Sequence, residues 1–162
     1  MEIKGKTIKY GDDINTDLII AGKYTKTLSL ETLALHAMED LDSDFKEKIK
    51  KATIIVAGKN FGCGSSREAA PVALKEAGVS CIIAKSFARI FYRNAVNIGL
   101  PIIECDTDKI ADGDTLYYKL GDDSIHNETS DSNIIATPLP EMMLDIFSKG
   151  GLVSFFKETG GF

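Results

Sequence analysis

The sequence has little of the residue types from which self-contained redox, metal and membrane chemistry is made. Cysteine occurs only as Cys63, Cys81 and Cys105. They are odd in number, far apart and without a C-x-x-C pair, so neither a disulfide framework nor a zinc or iron–sulfur site built by this chain alone is supported. Free thiols in a reducing compartment are expected instead. The two histidines read as bland: His36 as a packing or surface residue of a helix, His126 as a solvated residue among polar neighbours. No apolar run approaches the roughly 18 residues that a membrane span requires, and the first residues pass straight into polar alternating sequence. A cytoplasmic protein without a membrane partner is therefore expected. Positive charge is also scarce, since 19 Lys and Arg against 24 Asp and Glu leave a net charge of −5. A nucleic-acid partner would need a clustered basic face, so none is expected, and any basic site must be local.

Several familiar signatures are missing as well. No G-K-[ST] follows a glycine loop at Walker spacing, the third glycine of a dinucleotide fingerprint is absent, and there is no G-x-S-x-G nucleophile elbow.

What is present is an ordinary globular composition, 44% hydrophobic and 27% charged over 162 residues, enough for one well-buried domain spanning residues 1–162. Residues 6–10 alternate as a short strand closed by Gly11-Asp12-Asp13. Asn15, Thr16 and Asp17 then interrupt an apolar stretch; such side chains fix turns, and Asp17 is either a satisfied turn residue or the group that orients a basic residue of a site. Residues 21–27 read as an exposed loop. A helix follows from a Ser29 cap to about Glu39, and residues 40–51 form a charge-dense connector. From Ala52 the pattern alternates cleanly: strand 52–57, a glycine-spaced loop, helix 70–77 ending at Gly78, strand 80–84, a helix from a Ser86 cap to Ile98 ending at Gly99, and strand 102–105. Two successive βαβ units imply a parallel sheet with right-handed crossovers and a ligand site at the carboxyl ends of its strands. Short strands at 115–120 and 133–136 read as antiparallel additions. Pro140 opens a last helix over 141–149, and the tail from Leu152 to Phe162 reads as a peripheral strand or short helix.

The glycine loop, Gly58-Lys59-Asn60-Phe61-Gly62-Cys63-Gly64-Ser65-Ser66-Arg67-Glu68, sits where such a sheet places its ligands. Ser65 and Glu68 have capping-box spacing. Pro71 argues against a cap at Ser65, because it would then fall inside the helix and push Ala70 out of the helical region. The helix should start nearer Ala70, leaving Gly62 to Glu68 as an irregular nest of amides, with Gly62 and Gly64 supplying its conformational freedom. Such a nest binds a carboxylate or phosphate, and Arg67 adds a bidentate clamp.

This loop, together with Asp12-Asp13-Ile14-Asn15-Thr16-Asp17 and Lys85-Ser86-Phe87-Ala88-Arg89-Ile90-Phe91-Tyr92-Arg93-Asn94-Ala95, resembles the aconitase superfamily. The likeness is to its small-subunit branch, that of the 3-isopropylmalate dehydratases and homoaconitases. The resemblance implies an α/β fold, the swivelling β/β/α domain, with the parallel βαβαβ core at its centre and antiparallel strands added. It implies a hydro-lyase that isomerises a 2-hydroxy di- or tricarboxylic acid by dehydration and rehydration and is inactive alone. It also implies a hetero-oligomer in which no cofactor is held by this chain and a [4Fe–4S] cluster lies on a separate large subunit. By the same resemblance Ser65 is the catalytic base, Ser66 and Arg67 bind substrate, and Lys23, Tyr24, Thr25 and Lys26 form the loop over the substrate's variable group. Asp17, Gly62 and Gly64 support them.

Isopropylmalate, a leucine-biosynthesis intermediate, is the expected substrate, with homoaconitate and 2,3-dimethylmalate as alternatives. Lys26 departs from both the isopropylmalate and the homoaconitate pattern, and its long stem suits either a distal carboxylate or an apolar group. Arg89 and Arg93, four apart on one helix face, are expected to meet structural carboxylates or the partner subunit, with substrate contact as the other reading. From another class, a non-catalytic anion-binding regulatory module also fits the loop.

Overall fold

Period-two alternation in the central strands decides the architecture. The computed structural model describes residues 1–27 and 29–161. Its elements run β1 (Glu2–Lys9), α1 (Thr16–Ile19), α2 (Leu30–His36), α3 (Phe45–Lys48), β2 (Ile54–Val56), α4 (Ala69–Ala77), β3 (Cys81–Ala84), α5 (Arg89–Ile98), β4 (Ile102–Glu104), β5 (Thr115–Lys119), β6 (Ser124–Asn127), β7 (Ser132–Ile135), α6 (Glu141–Ser148) and α7 (Leu152–Thr159). The strands form one mixed sheet in the order β4-β3-β2-β1-β5-β6-β7. β1 to β4 are parallel, and β5 to β7 continue from β1 antiparallel. The two outer strands then meet through a bridge between Cys105 and Ala136. The sheet therefore has an inner and an outer face, and both are buried. Ile54, Val56, Cys81, Ile83 and Ile103 join Ile3, Leu116, Tyr118, Ile125 and Ile134 inside, while Ile55, Ile82 and Ile102 join the helices outside. Strands buried on both sides read as continuous apolar runs, which is why 52–57 and 80–84 stood out.

The α/β reading with a parallel βαβαβ core holds, and several boundaries differ for physical reasons. β1 begins at Glu2 and not at residue 6, because Glu2–Lys6 pair with β5 before Thr7–Lys9 pair with β2. The expected turn at Asn15-Thr16-Asp17 is a single helical turn, α1, whose first amides are capped by Asn15 Oδ1 accepting from Leu18 N at 3.0 Å. Ser29 does cap α2, accepting from Thr32 N, but the helix stops at His36, and the Met38 amide turns back to Ile19 O at 2.8 Å. Ser86 does not cap α5: its hydroxyl accepts from Asn60 N, Phe87 bridges Phe61, and the helix opens only at Arg89. β6 was not expected at all, since only Ile125 and Asn127 of its four residues face inward. Of the two forms read for the tail, the helix is found over Leu152–Thr159, and Phe162 lies outside the described residues.

Asn127 closes the antiparallel half. It is fully buried, its Nδ2 donates to Asp114 Oδ2 at 2.8 Å, and its Oδ1 accepts from Thr129 N and Ser130 N at 3.1 and 3.3 Å. Removing it takes one of the two donors from Asp114 Oδ2, which keeps Ala111 N at 2.8 Å, and the acceptor of two amides, so Asn127→Ala should cost about 1–3 kcal/mol in denaturant unfolding. Asn133→Ala on exposed β7 should change stability by less than about 0.5 kcal/mol. Equal losses would show that the buried amide does not organise this half.

Candidate active site

Three chain segments leave the carboxyl ends of β1, β2 and β3 and are laced to one another by backbone bonds. Asp13 N donates to Lys59 O, Gly62 N to Ile14 O and Thr16 N to Cys63 O, at 2.8, 2.7 and 2.8 Å. Phe61 N donates to Ser86 O at 3.0 Å and Ala88 N to Phe61 O at 2.9 Å. α4 begins at Ala69, one residue before the position that Pro71 suggested, so Pro71 lies in the first turn, where its missing N–H costs nothing. Glu68 occupies the cap position without a side-chain cap bond, and Ser65 is left out of the helix. The amides of Gly64 through Glu68 find no acceptor among the described residues.

Ser65 is exposed and polarised from two sides. Arg67 Nε donates to its Oγ at 2.9 Å. Thr16 Oγ1 donates its one proton to the Ser65 carbonyl at 2.9 Å, so in the 3.3 Å contact between the two hydroxyls Ser65 is the donor. Arg67 is itself held: Nη2 pairs with Asp17 Oδ1 at 2.5 Å, and Nη1 reaches Ile20 O at 3.5 Å. Gly22 lies against this guanidinium, and a Cβ there would sit 2.9 Å from Nη1.

Ser65 and Arg67 open onto a cleft of about 570 Å³ whose other wall carries Phe87, Arg89, Ile90 and Arg93. Ser66, Lys23, Tyr24, Thr25 and Lys26 do not line this cleft. Tyr24 instead stacks on His36, with centroids 3.8 Å apart and planes 6° from parallel, and His36 Nδ1 lies 2.8 Å from Glu39 Oε2. The expectation that Arg89 and Arg93 meet carboxylates of this chain is not met: among the described residues neither has an acidic partner. Sequence reading put substrate contact second for them, after structural carboxylates or a partner subunit. A signal was available, since the chain contains only three arginines, Arg67, Arg89 and Arg93, and all three line this one cleft. Thr16 was missed because its role depends on a contact 49 residues away.

No group of three or more His, Cys, Asp or Glu is placed to hold a metal among the described residues. The thiols are poor candidates on electrostatic grounds too. Burial and the Asp13 charge push Cys63 up, burial pushes Cys81 up strongly, and burial with the Asp106 charge pushes Cys105 up to about 12. These shifts favour the protonated thiol in the metal-free chain.

Residues 6–107 match the family model for the aconitase C-terminal domain. The chain belongs to that family. It is 54% identical over 159 residues to a 3-isopropylmalate dehydratase small subunit of Halothermothrix orenii, covering 97% of this chain and 96% of the relative. It is also 54% identical over 161 residues to a 3-isopropylmalate dehydratase small subunit 2 of Archaeoglobus fulgidus, covering 99% and 98%. A crystal structure of 3-isopropylmalate dehydratase from Methanocaldococcus jannaschii superposes with a TM-score of 0.93 at 45% identity, over 99% of this chain and 96% of that one. In this member of the aconitase C-terminal family the lacing leaves no room at Gly62. Its φ is +82°, and a Cβ would lie 2.2 Å from Phe91 Cγ. Gly64 also has positive φ, but its nearest neighbour would be 3.4 Å away. Gly64→Ala should therefore cost about 1–2 kcal/mol of backbone strain, and Gly62→Ala about 3–4 kcal/mol because overpacking is added. Denaturant midpoints separate the two; equal losses would remove Phe91 as the constraint.

Proposed function

We propose that this chain is the small subunit of a 3-isopropylmalate dehydratase, a hydro-lyase that becomes active when a larger subunit closes over the Ser65 cleft. The observation that carries the reading is the Ser65 hydroxyl, accepting from Arg67 Nε at 2.9 Å beside five unengaged amides. Identity of about half over the full chain with subunits of that name supports isopropylmalate ahead of homoaconitate and 2,3-dimethylmalate.

The reaction removes a proton from one carbon and a hydroxyl from its neighbour, and the electrons of the C–H bond become the second bond of the alkene. Water then adds in the opposite sense. Ser65 as alkoxide takes the carbon-bound proton and returns it in the second half. A serine hydroxyl is a weak base at neutral pH unless its anion is specifically held. Here Arg67 Nε already points at the oxygen, and Thr16 can turn its proton from the Ser65 carbonyl to the Ser65 Oγ when that oxygen becomes charged. Asp17 and Ile20 O fix the guanidinium so that Nε, not the tip, faces Ser65. The free amides of Gly64, Ser65 and Arg67, the residues of this run that line the cleft, take one substrate carboxylate.

The departing hydroxyl needs a Lewis acid, which an iron–sulfur cluster on the large subunit supplies. Among the described residues, no group of three or more His, Cys, Asp or Glu is placed to hold such a group. Ser66 and the segment Lys23–Lys26 reach substrate only after closure, because they lie off the cleft in the free chain.

With the large subunit present, Ser65→Ala should lower kcat about 10²–10⁴-fold while the complex stays intact in size-exclusion chromatography. Wild-type turnover by that variant would remove Ser65 as the base. Failure of the wild-type chain to bind a large subunit or to turn over any of the three acids would overturn the hydro-lyase reading and favour a non-catalytic anion-binding module.

A further inference from the structure

The arginines on the far wall of the cleft are placed at a cost that nothing in the chain offsets. Arg89 and Arg93 are four residues apart on the first half of α5, so the two cations face the same way and repel. They also sit toward the end of the helix where aligned peptide dipoles favour negative charge. Neither has an acidic partner among the described residues, although the chain carries 24 Asp and Glu. Glu104 lies close by, sharing a smaller cleft of about 290 Å³ with both. Its carboxyl is pushed up by burial alone, with no cation drawing it down. The two guanidiniums are thus not spent on the nearest carboxylate.

Composition sharpens the point. Sixteen lysines are spread over the chain, none lining the 570 Å³ cleft among the described residues, while all three arginines line it. A planar five-donor fork is selected over an ammonium where a carboxylate must be gripped in two places and oriented. One of the three, Arg67, is committed to Ser65, Asp17 and Ile20 O. A malate-type acid carries two carboxylates, and the amide nest beside Arg67 accommodates one.

We propose that Arg89 and Arg93 form a second carboxylate subsite, in the same cleft as Arg67, that binds the other carboxylate of the dicarboxylic acid. The proposal rests on the hydro-lyase reading and adds binding residues to it. Ile90 and Phe87 also line the cleft and give the alkyl substituent of the substrate apolar surface.

The test has two readouts. In the enzyme assembled with its large subunit, Arg89→Gln and Arg93→Gln should each raise KM for the dicarboxylate about tenfold, leave kcat within about threefold, and leave subunit affinity unchanged. In the isolated chain, three arginines give three side-chain Nε–Hε NMR signals, assignable from the same variants, and malate should shift those of Arg89 and Arg93 in addition to that of Arg67. Weakened subunit affinity at unchanged KM would overturn the subsite and make the pair an interface contact. Unchanged KM in both variants, or malate shifts confined to Arg67, would overturn it too. If the assembled wild type turns over no acid, the hydro-lyase reading fails by itself, and the malate titration still decides whether the arginines bind a dicarboxylate.

Discussion

The ring of Phe91 fills the space that any side chain at position 62 would need, and across that gap the Gly62 amide reaches the Ile14 carbonyl. Much follows from this one approach. Because residue 62 is seated against α5, the loop after β2 is pinned to the segments after β1 and β3 at once, and Cys63 O is in place to accept from Thr16 N. Thr16 is then within reach of both the carbonyl and the hydroxyl of Ser65. The edge-to-face contacts of Phe61 with Phe87 and Phe91, at 6.0 and 5.2 Å, brace the same junction from below. A site made of irregular backbone can be rigid when its ties run between different strand ends, since no one loop can move without breaking bonds to the other two.

The electrostatics of the cleft run against those of the chain. A protein of net charge −5 repels a dianionic acid at long range. A local field for such an acid must come from a few well-placed groups, and three arginines line one cleft with Gly64 and Ser65, whose amides have no acceptor among the described residues. Asp17 partly neutralises Arg67, yet its carboxylate is largely exposed, so its attraction is weak in energy. Its value is directional, because it occupies the tip of the fork and leaves Nε for Ser65.

The parts of the molecule legible in the sequence are those decided locally. The apolar runs of β2 and β3, the glycine stops after α4 and α5 and the Ser29 cap each depend on neighbours within a turn or a strand. Pro71 also spoke locally, since its ring excluded a cap at Ser65 and so marked Ser65–Arg67 as free for chemistry. What was hidden depends on distant partners. The first half of β1 exists because β5 returns to pair with it, β6 because Asn127 meets Asp114, and the opening of α5 at Arg89 because Phe61 and Asn60 claim Phe87 and Ser86 first. The setting of Arg89 and Arg93 was open in the sequence for the same reason: a helical face says which residues are neighbours, and only the fold says which cleft that face borders. The Tyr24–His36 stack, joining a loop to the far end of α2, has no local signature either.

The openness of Ser65 is the last constraint on mechanism. In water, a guanidinium and an alkoxide about 4 Å apart attract by only about 1 kcal/mol, and several times more where the effective dielectric falls toward 20. The exposed hydroxyl of the free chain is on the wrong side of that difference. Its hydrogen-bond geometry is already assembled, with Arg67 Nε donating on one side and Thr16 ready to become a second donor, so closure need not rearrange the loop. It need only remove water. On the proposed reading, a half-site whose hydrogen bonds are assembled while Ser65 is still exposed fits a division of the chemistry between two chains, in which proton transfer waits for a second surface to exclude water.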